Sequence, residues 1–295
     1  MSTPIEITAA GHRLAGRIVE PTTTARALVL ALHGGTYSSR YYDLQSSPRA
    51  SALQNYADLG FAAVALDRPG YGIAANVEPA ACGFGAQSEI LRDALREVRR
   101  TRTDDLRVFL IGHSIGGMIA LTMAADMAAD GADTPLRGVM ASGMGMVWQP
   151  GLREMWGSLL GESTTVSVPN EARDQVMFAA DPGLVDPAVQ RDAGADLHPL
   201  PAEELRGAID WTEAMPGVAA RISVPVLHVL PEHDGIWASD EHAQRQAAAA
   251  FEKVDGATVT VQRAAGHSLD AHRAGYAHHL ATAAFFETCL VTDQP

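Results

Sequence analysis

The chain has 295 residues, 47% hydrophobic and 19% charged, which suits one large α/β domain with an insertion, or two smaller domains, and excludes disorder beyond the ends. A formal net charge of −13 argues against binding nucleic acid or anionic lipid, since both require basic surface. No apolar run reaches the ~18 residues of a membrane span, Met1–Glu6 lacks the basic-then-apolar pattern of a leader, and Cys82 and Cys289 are too few for a disulfide framework; a cytoplasmic protein with buried or free thiols is expected.

Ile5–Ala9 and Leu14–Val19 alternate apolar and polar residues around Gly11, which predicts an antiparallel hairpin at a sheet edge. Ala25–Leu32 is nearly unbroken apolar sequence, the pattern of a strand covered on both faces of a parallel sheet. A helix is predicted over Pro48–Leu59, stopped by Gly60, then a buried strand over Phe61–Leu66. The following turn, Asp67-Arg68-Pro69-Gly70-Tyr71-Gly72, is built to shape backbone rather than to move protons. Phe84–Thr101 reads as a helix with basic residues at its C-terminal end, where they oppose the dipole. Leu136–Ser142 is another short buried strand, and this strand-helix rhythm implies right-handed crossovers and a mostly parallel sheet with helices on both faces.

From Met144 to Ala220 the rhythm stops. No buried β run is visible there, only short amphipathic stretches divided by prolines, and a helical insertion over 144–220 is expected because so long a structureless loop is rare in a compact domain. The alternation resumes with a strand at Val224–Leu230, a helix at Ser239–Phe251, a strand at Thr258–Val261 and a closing helix from Arg273 to Leu290. The core is therefore expected to comprise 1–143 and 221–295.

The densest chemical signal is Leu106–Gly117, an apolar strand running through Gly112-His113-Ser114-Ile115-Gly116 straight into a second regular segment. A strand that becomes a helix with no loop between forces the residue at the junction into a sparsely allowed conformation. Ser114 is that residue. Glycines at 112, 116 and 117 remove the Cβ atoms that would collide where helix and strand pack, and the hydroxyl is lifted towards the positive end of the helix.

This segment resembles the nucleophile elbow of the α/β-hydrolases. The resemblance implies a mostly parallel eight-stranded sheet with helices on both faces and a helical cap at 144–220. It also implies a serine hydrolase that cleaves a carboxylic ester, thioester or lactone through an acyl-enzyme, with Ser114 as nucleophile, His267 as base and Asp234 as the acid that orients it, in the chain order this fold imposes. Glu232 is the rival acid, and Pro231 stands where many relatives have glycine. His33-Gly34-Gly35-Thr36 resembles the family's oxyanion segment, so the Gly35 amide, with Thr36 as second choice, and the Ile115 amide are the expected oxyanion donors. His33 itself is expected to bond loop backbone. Of the other histidines, His228 is expected to pack inside its strand, His113 to point away from the serine, and His272, His278 and His279 to lie on a half-exposed helix.

Apolar residues of the insertion, including Met144, Trp148, Met155, Trp156 and Trp211, are candidates to line an acyl pocket, against the plainer expectation that most of them pack the cap onto the body. No metal or cofactor is called for, since the histidines lack ligand spacing and Gly112–Gly117 lacks the lysine of a phosphate loop. The expected partner is a small acyl substrate. Alternatives that keep the same three residues are acyl transfer, cyclisation or carbon–carbon cleavage; a non-catalytic ligand-binding protein is the reading from another class.

Overall fold

A computed structural model of the chain describes residues 2–47, 49–102, 104–129, 135–179 and 181–292. The predicted hairpin is present as β1 (Thr3–Ala9) and β2 (His12–Val19), paired antiparallel about the Ala10-Gly11 turn. Then follow β3 (Leu28–Leu32), α1 (Ala52–Asp58), β4 (Ala62–Leu66), α2 (Phe84–Arg100), β5 (Val108–His113), α3 (Ile115–Ala129) and β6 (Leu136–Ser142). The helix expected from Pro48 begins only at Ala52, because Ser51 is extended and its hydroxyl takes the amide of Gln54; Pro48 lies outside the described residues.

The 144–220 segment contributes α4 (Leu152–Ser158), β7 (Thr165–Val166), α5 (Asn170–Met177), α6 (Pro187–Gly194), β8 (Leu200–Pro201), α7 (Ala202–Ile209) and α8 (Trp211–Ala219). It is mainly helical, as expected, with one addition: β7 and β8 pair as a two-residue antiparallel ladder, too short to show as a β run in sequence. The chain closes with β9 (Val226–His233), α9 (Glu241–Ala250), β10 (Thr258–Gly266) and α10 (Gly275–Thr292). Among the described residues no helix is long and apolar enough to cross a membrane.

The main sheet has eight strands in the order β1-β2-β4-β3-β5-β6-β9-β10. The hairpin joins antiparallel through β2 and β4, and every pairing from β4 to β10 is parallel. Leu28–Leu32 and Ala62–Leu66 are buried at every position, so alternate residues feed two separate cores. Leu28, Leu30 and Leu32 pack with α2 and α3 on one face. Val29 and Ala31 pack with α1 and α10 on the other, where the Phe109 and Phe286 rings stack 4.3 Å apart. With both faces covered, the open part of the sheet is the rim at the carboxyl ends of its parallel strands.

Inside β9, His228 is fully buried against Phe251 and neither ring nitrogen has a hydrogen-bond partner. Burial alone pushes its pKa from 6.5 down to about 4. Because the folded value is the lower one, the unfolded chain takes up the proton first as the pH falls. The stability that neutral His228 provides is therefore complete above pH 6.5 and is lost on the way down to about pH 4. Chemical denaturation between pH 7 and pH 4 is expected to show wild type losing about 3 kcal/mol more than His228→Leu across that window; parallel curves for the two proteins would refute it.

Candidate active site

Every functional candidate stands at the carboxyl rim, one residue or a few beyond the end of a parallel strand: His33–Thr36 after β3, Ser114 after β5, Asp234 after β9 and His267 after β10. The junction at Ser114 has the predicted strain, with φ at 53°. It is locked by backbone: the Ser114 N–H donates to the Ser142 carbonyl at 2.7 Å, and the Ser114 carbonyl accepts from Gly117 and Met118 as α3 begins. A Cβ at Gly112 would lie 2.3 Å from the Gly116 carbonyl oxygen, and one at Gly116 only 2.1 Å from that of Leu32. Helix and strands thus meet at a distance that only glycine allows.

The structure brings the three expected side chains together. Ser114 Oγ donates to His267 Nε2 at 3.0 Å, and His267 Nδ1 donates to the Asp234 carboxylate at 2.9 and 3.0 Å to its two oxygens. Asp234 Oδ1 also accepts the backbone amides of Ile236 (2.8 Å) and Trp237 (3.2 Å). These bonds fix the buried carboxylate with its oxygens aimed at the ring. Since the carboxylate accepts at Nδ1, the lone pair of His267 lies at Nε2, facing the serine. Glu232, the rival acid, points elsewhere: its carboxylate takes the Ala264 amide at 2.8 Å and lies 3.6 Å from His233.

Support for His267 comes from residues that the sequence reading set aside. His113 bonds the backbone of His267 and not the serine. Its Nε2 donates to the His267 carbonyl at 2.8 Å, its ring stacks 4.6 Å from that of Tyr41, and burial, with His267 nearby, pushes its pKa down to about 3, so it is a neutral prop. His278 and His279 are buried, not half-exposed, because α10 packs its N-terminal turns against α1 and the loop after β10, and His272, expected on the same helix, lies before it in that loop and is buried too. His272 Nε2 accepts the Gly266 and Ala179 amides at 2.9 and 3.1 Å. His279 Nε2 donates to Asp270 at 2.9 Å and its Nδ1 accepts from Asn55, while Tyr41 donates to the second Asp270 oxygen at 2.9 Å. Burial is the largest influence on Asp270 and works against its charge, but the bond from His279 and the electrostatic pull of His279, His278 and His113 together outweigh it and hold the carboxyl below its ordinary range. No local pattern marks these residues; the one available hint is Asp270 lying three positions after His267.

On the opposite side, His33 bonds loop backbone as expected, donating from Nδ1 to the Gly34 carbonyl at 2.8 Å and accepting the Arg68 amide at Nε2. Burial, reinforced by the Arg68 charge, holds His33 well below the usual imidazole range and therefore neutral. Gly35, Thr36, Ser114 and Ile115 line one cavity, so both expected oxyanion donors and the second choice border the same space as the serine. Its volume is about 40 Å³, far below the roughly 300–1,000 Å³ of a site for a drug-sized ligand.

The rest of the cavity wall is apolar. Trp148 and Trp156 line it, as expected of them, with the Trp148 ring 4.1 Å from that of Trp237. Met144, Met155 and Trp211 do not. Met144 is buried beside Gly117, Met155 is 40% exposed on the outer face of α4, and Trp211 packs edge-on to Phe84. Met177, Leu200, Leu205 and Ala208 of the insertion complete the wall, with Met118 of α3 and Ile236 and Trp237 beyond β9. Ile236 and Trp237 thus serve twice, their amides on Asp234 and their side chains on the cavity, a coincidence of roles with no signature in sequence.

The comparisons with known proteins agree with this architecture. Over 126 residues the chain is 35% identical to the monoglyceride lipase of Homo sapiens, and over the same length 32% identical to that of Mus musculus; each alignment covers 42% of this chain. The chain spans only 38% of the length of those curated relatives. Among solved structures it is similar to a carboxyl esterase from Bacillus coagulans, with a TM-score of 0.71 and 17% identity over 98% of both chains. A soluble variant of monoglyceride lipase from Saccharomyces cerevisiae gives a TM-score of 0.69 at 13% identity, over 97% of this chain and 94% of the other. Likeness at such identities bears on fold alone. The profile described as the Alpha/beta hydrolase family matches residues 28–279, from the start of β3 into α10, and the chain belongs to that family.

Proposed function

We propose that the protein is a serine hydrolase that cleaves carboxylic esters of uncharged, apolar acyl groups through an acyl-enzyme. The observation that carries this reading is the continuous hydrogen-bonded path Ser114–His267–Asp234. Ser114 Oγ attacks the ester carbonyl carbon while its proton passes to His267 Nε2, and the carbonyl electron pair moves onto oxygen. Asp234 holds the imidazolium that forms. The Gly35 and Ile115 amides receive the oxyanion. As the tetrahedral species collapses, His267 returns the proton to the leaving alcohol, and water repeats the sequence to release the acid.

The 144–220 segment serves as the cap in this reading, supplying Trp148, Trp156, Leu200 and Leu205 to a wall that contains no charged side chain. An apolar wall favours uncharged acyl groups, because a carboxylate placed there would lose its hydration without gaining a partner. Similarity to monoglyceride lipases supports esters ahead of thioesters and lactones.

Two outcomes follow. A fluorophosphonate probe is expected to add once to wild type, with loss of fluoride, and not at all to Ser114→Ala; p-nitrophenyl ester turnover should fall by about 10⁴-fold or more in that variant. A folded wild type that forms no adduct would sink the mechanism. Trp156→Ala is expected to shift the acyl-length optimum of a p-nitrophenyl ester series towards longer chains by opening the wall next to Leu205, and an unchanged chain-length profile would remove Trp156 from the acyl site.

A further inference from the structure

The loop that carries Gly35 is held from the insertion at four successive points. Asp196 accepts both the backbone amide and the hydroxyl of Ser38, each at 2.8 Å. The His198 amide donates to the Thr36 carbonyl at 2.9 Å, and the His198 ring donates back to Asp196 at 3.0 Å. Leu200 presses on Gly35 so closely that a Cβ there would lie 2.9 Å from Leu200 Cδ1. Glu204 then reaches beneath the loop to Arg68, and both side chains are completely buried. Arg68 in turn donates from Nε to the His33 carbonyl at 2.8 Å and from Nη2 to the Gly34 carbonyl at 3.3 Å.

Glu204 is bonded on both oxygens. Tyr71 donates to one at 2.9 Å and Gln87 to the other at 2.6 Å, so the buried pair has a full set of partners. The loop needs such restraint. Thr36 has φ at 66°, a left-handed conformation that a β-branched residue holds only where its surroundings impose it. Within the loop His33 bonds the Gly34 carbonyl and Ser38 accepts the Arg40 amide; from the core come Arg68, the Asp67 carboxylate on the Ser39 amide at 2.8 Å and Ser268 on the Tyr37 hydroxyl at 2.8 Å, and the segment from Gly35 to Ser38 is further held by residues 196–204 of the insertion.

We propose that Asp196, His198 and Glu204 are positioning residues for the oxyanion site: the insertion, besides walling the cavity, sets the Gly35 amide at the place where charge develops on the substrate. The inference rests on the ester-hydrolase reading above. A donor displaced by about 1 Å costs up to about 100-fold in rate while leaving the ground-state ester almost as well bound. None of the three touches the reacting atoms. Their effect reaches the reaction only through the loop.

The test measures kcat, KM and the inhibition constant of an aryl trifluoromethyl ketone for Asp196→Asn, Ser38→Ala and Glu204→Gln, on variants shown to be folded by their thermal transitions. Ser114 Oγ adds to the ketone carbon, its proton goes to His267, and the hemiketal oxygen carries the negative charge, so this affinity reports the oxyanion site directly. The expected result is a kcat lowered about 10- to 100-fold with KM within about two-fold, and a ketone inhibition constant that rises in step with the loss of kcat. Ser38→Ala removes one hydroxyl from the Asp196 end of the clamp and keeps the test informative if Glu204→Gln fails to fold around an unpaired Arg68. Folded variants that keep kcat, or that lose it with no change in ketone affinity, overturn the clamp while leaving the hydrolase reading intact. A wild type with neither ester turnover nor ketone inhibition overturns both.

Discussion

The architecture depends on a steric constraint at one spot, where α3 leaves β5. Gly116 lies against the carbonyl oxygens of Leu32 and His33, and Gly112 against that of Gly116. Backbone from β3, β5 and α3 meets there without a side chain between. This close approach lets the first turn of α3 begin directly after Ser114 and forces that residue to a positive φ. It also brings the β3 loop beside the proposed nucleophile, so that Gly35 and Ile115 border one space. The remaining parts, Asp234 and His267, need only stand at the ends of their own strands to complete the path.

Much of this was legible in the sequence, for physical reasons. Strands buried on both faces, such as Leu28–Leu32 and Ala62–Leu66, announce themselves as unbroken apolar runs, and the elbow glycines mark a junction that no other residue tolerates. The order of Ser114, Asp234 and His267 came from the resemblance to the α/β-hydrolases, with the rhythm of the core putting each near a strand end. What stayed hidden is proximity between distant segments. Arg68 meets Glu204 across 136 positions and Tyr41 meets Asp270 across 229, and neither partner has a local pattern that names the other. The apolar residues of the insertion show the same gap between composition and placement. Trp156 and Met155 are neighbours in sequence, yet one lines the cavity and the other faces solvent, because successive residues of a helix point about 100° apart.

Charge is distributed sparingly around the proposed centre. His33 and His113 are held neutral by burial, which leaves them free to accept or donate single hydrogen bonds without adding positive charge beside His267. Asp270, which is kept ionised, is paired with His279 on the far side of Tyr41. The cavity wall contributes no charge of either sign. Within this surround the Asp234 carboxylate is the acidic group hydrogen-bonded to the His267 ring.

The Arg68–Glu204 pair has a consequence for how such a molecule diversifies. Arg68 belongs to the core and Glu204 to the insertion, and removing either partner strands a buried charge at a cost of about 3–5 kcal/mol, a large part of the stability of an ordinary domain. The insertion is therefore not an interchangeable module. A segment of different length or composition can replace it only if it returns a carboxylate to the same depth, or if Arg68 changes in the same step. Lineages that vary their substrate range by exchanging this segment would thus be expected to drift at cavity-wall residues such as Leu205 and Ala208 while keeping residues 68 and 204 as a co-inherited pair.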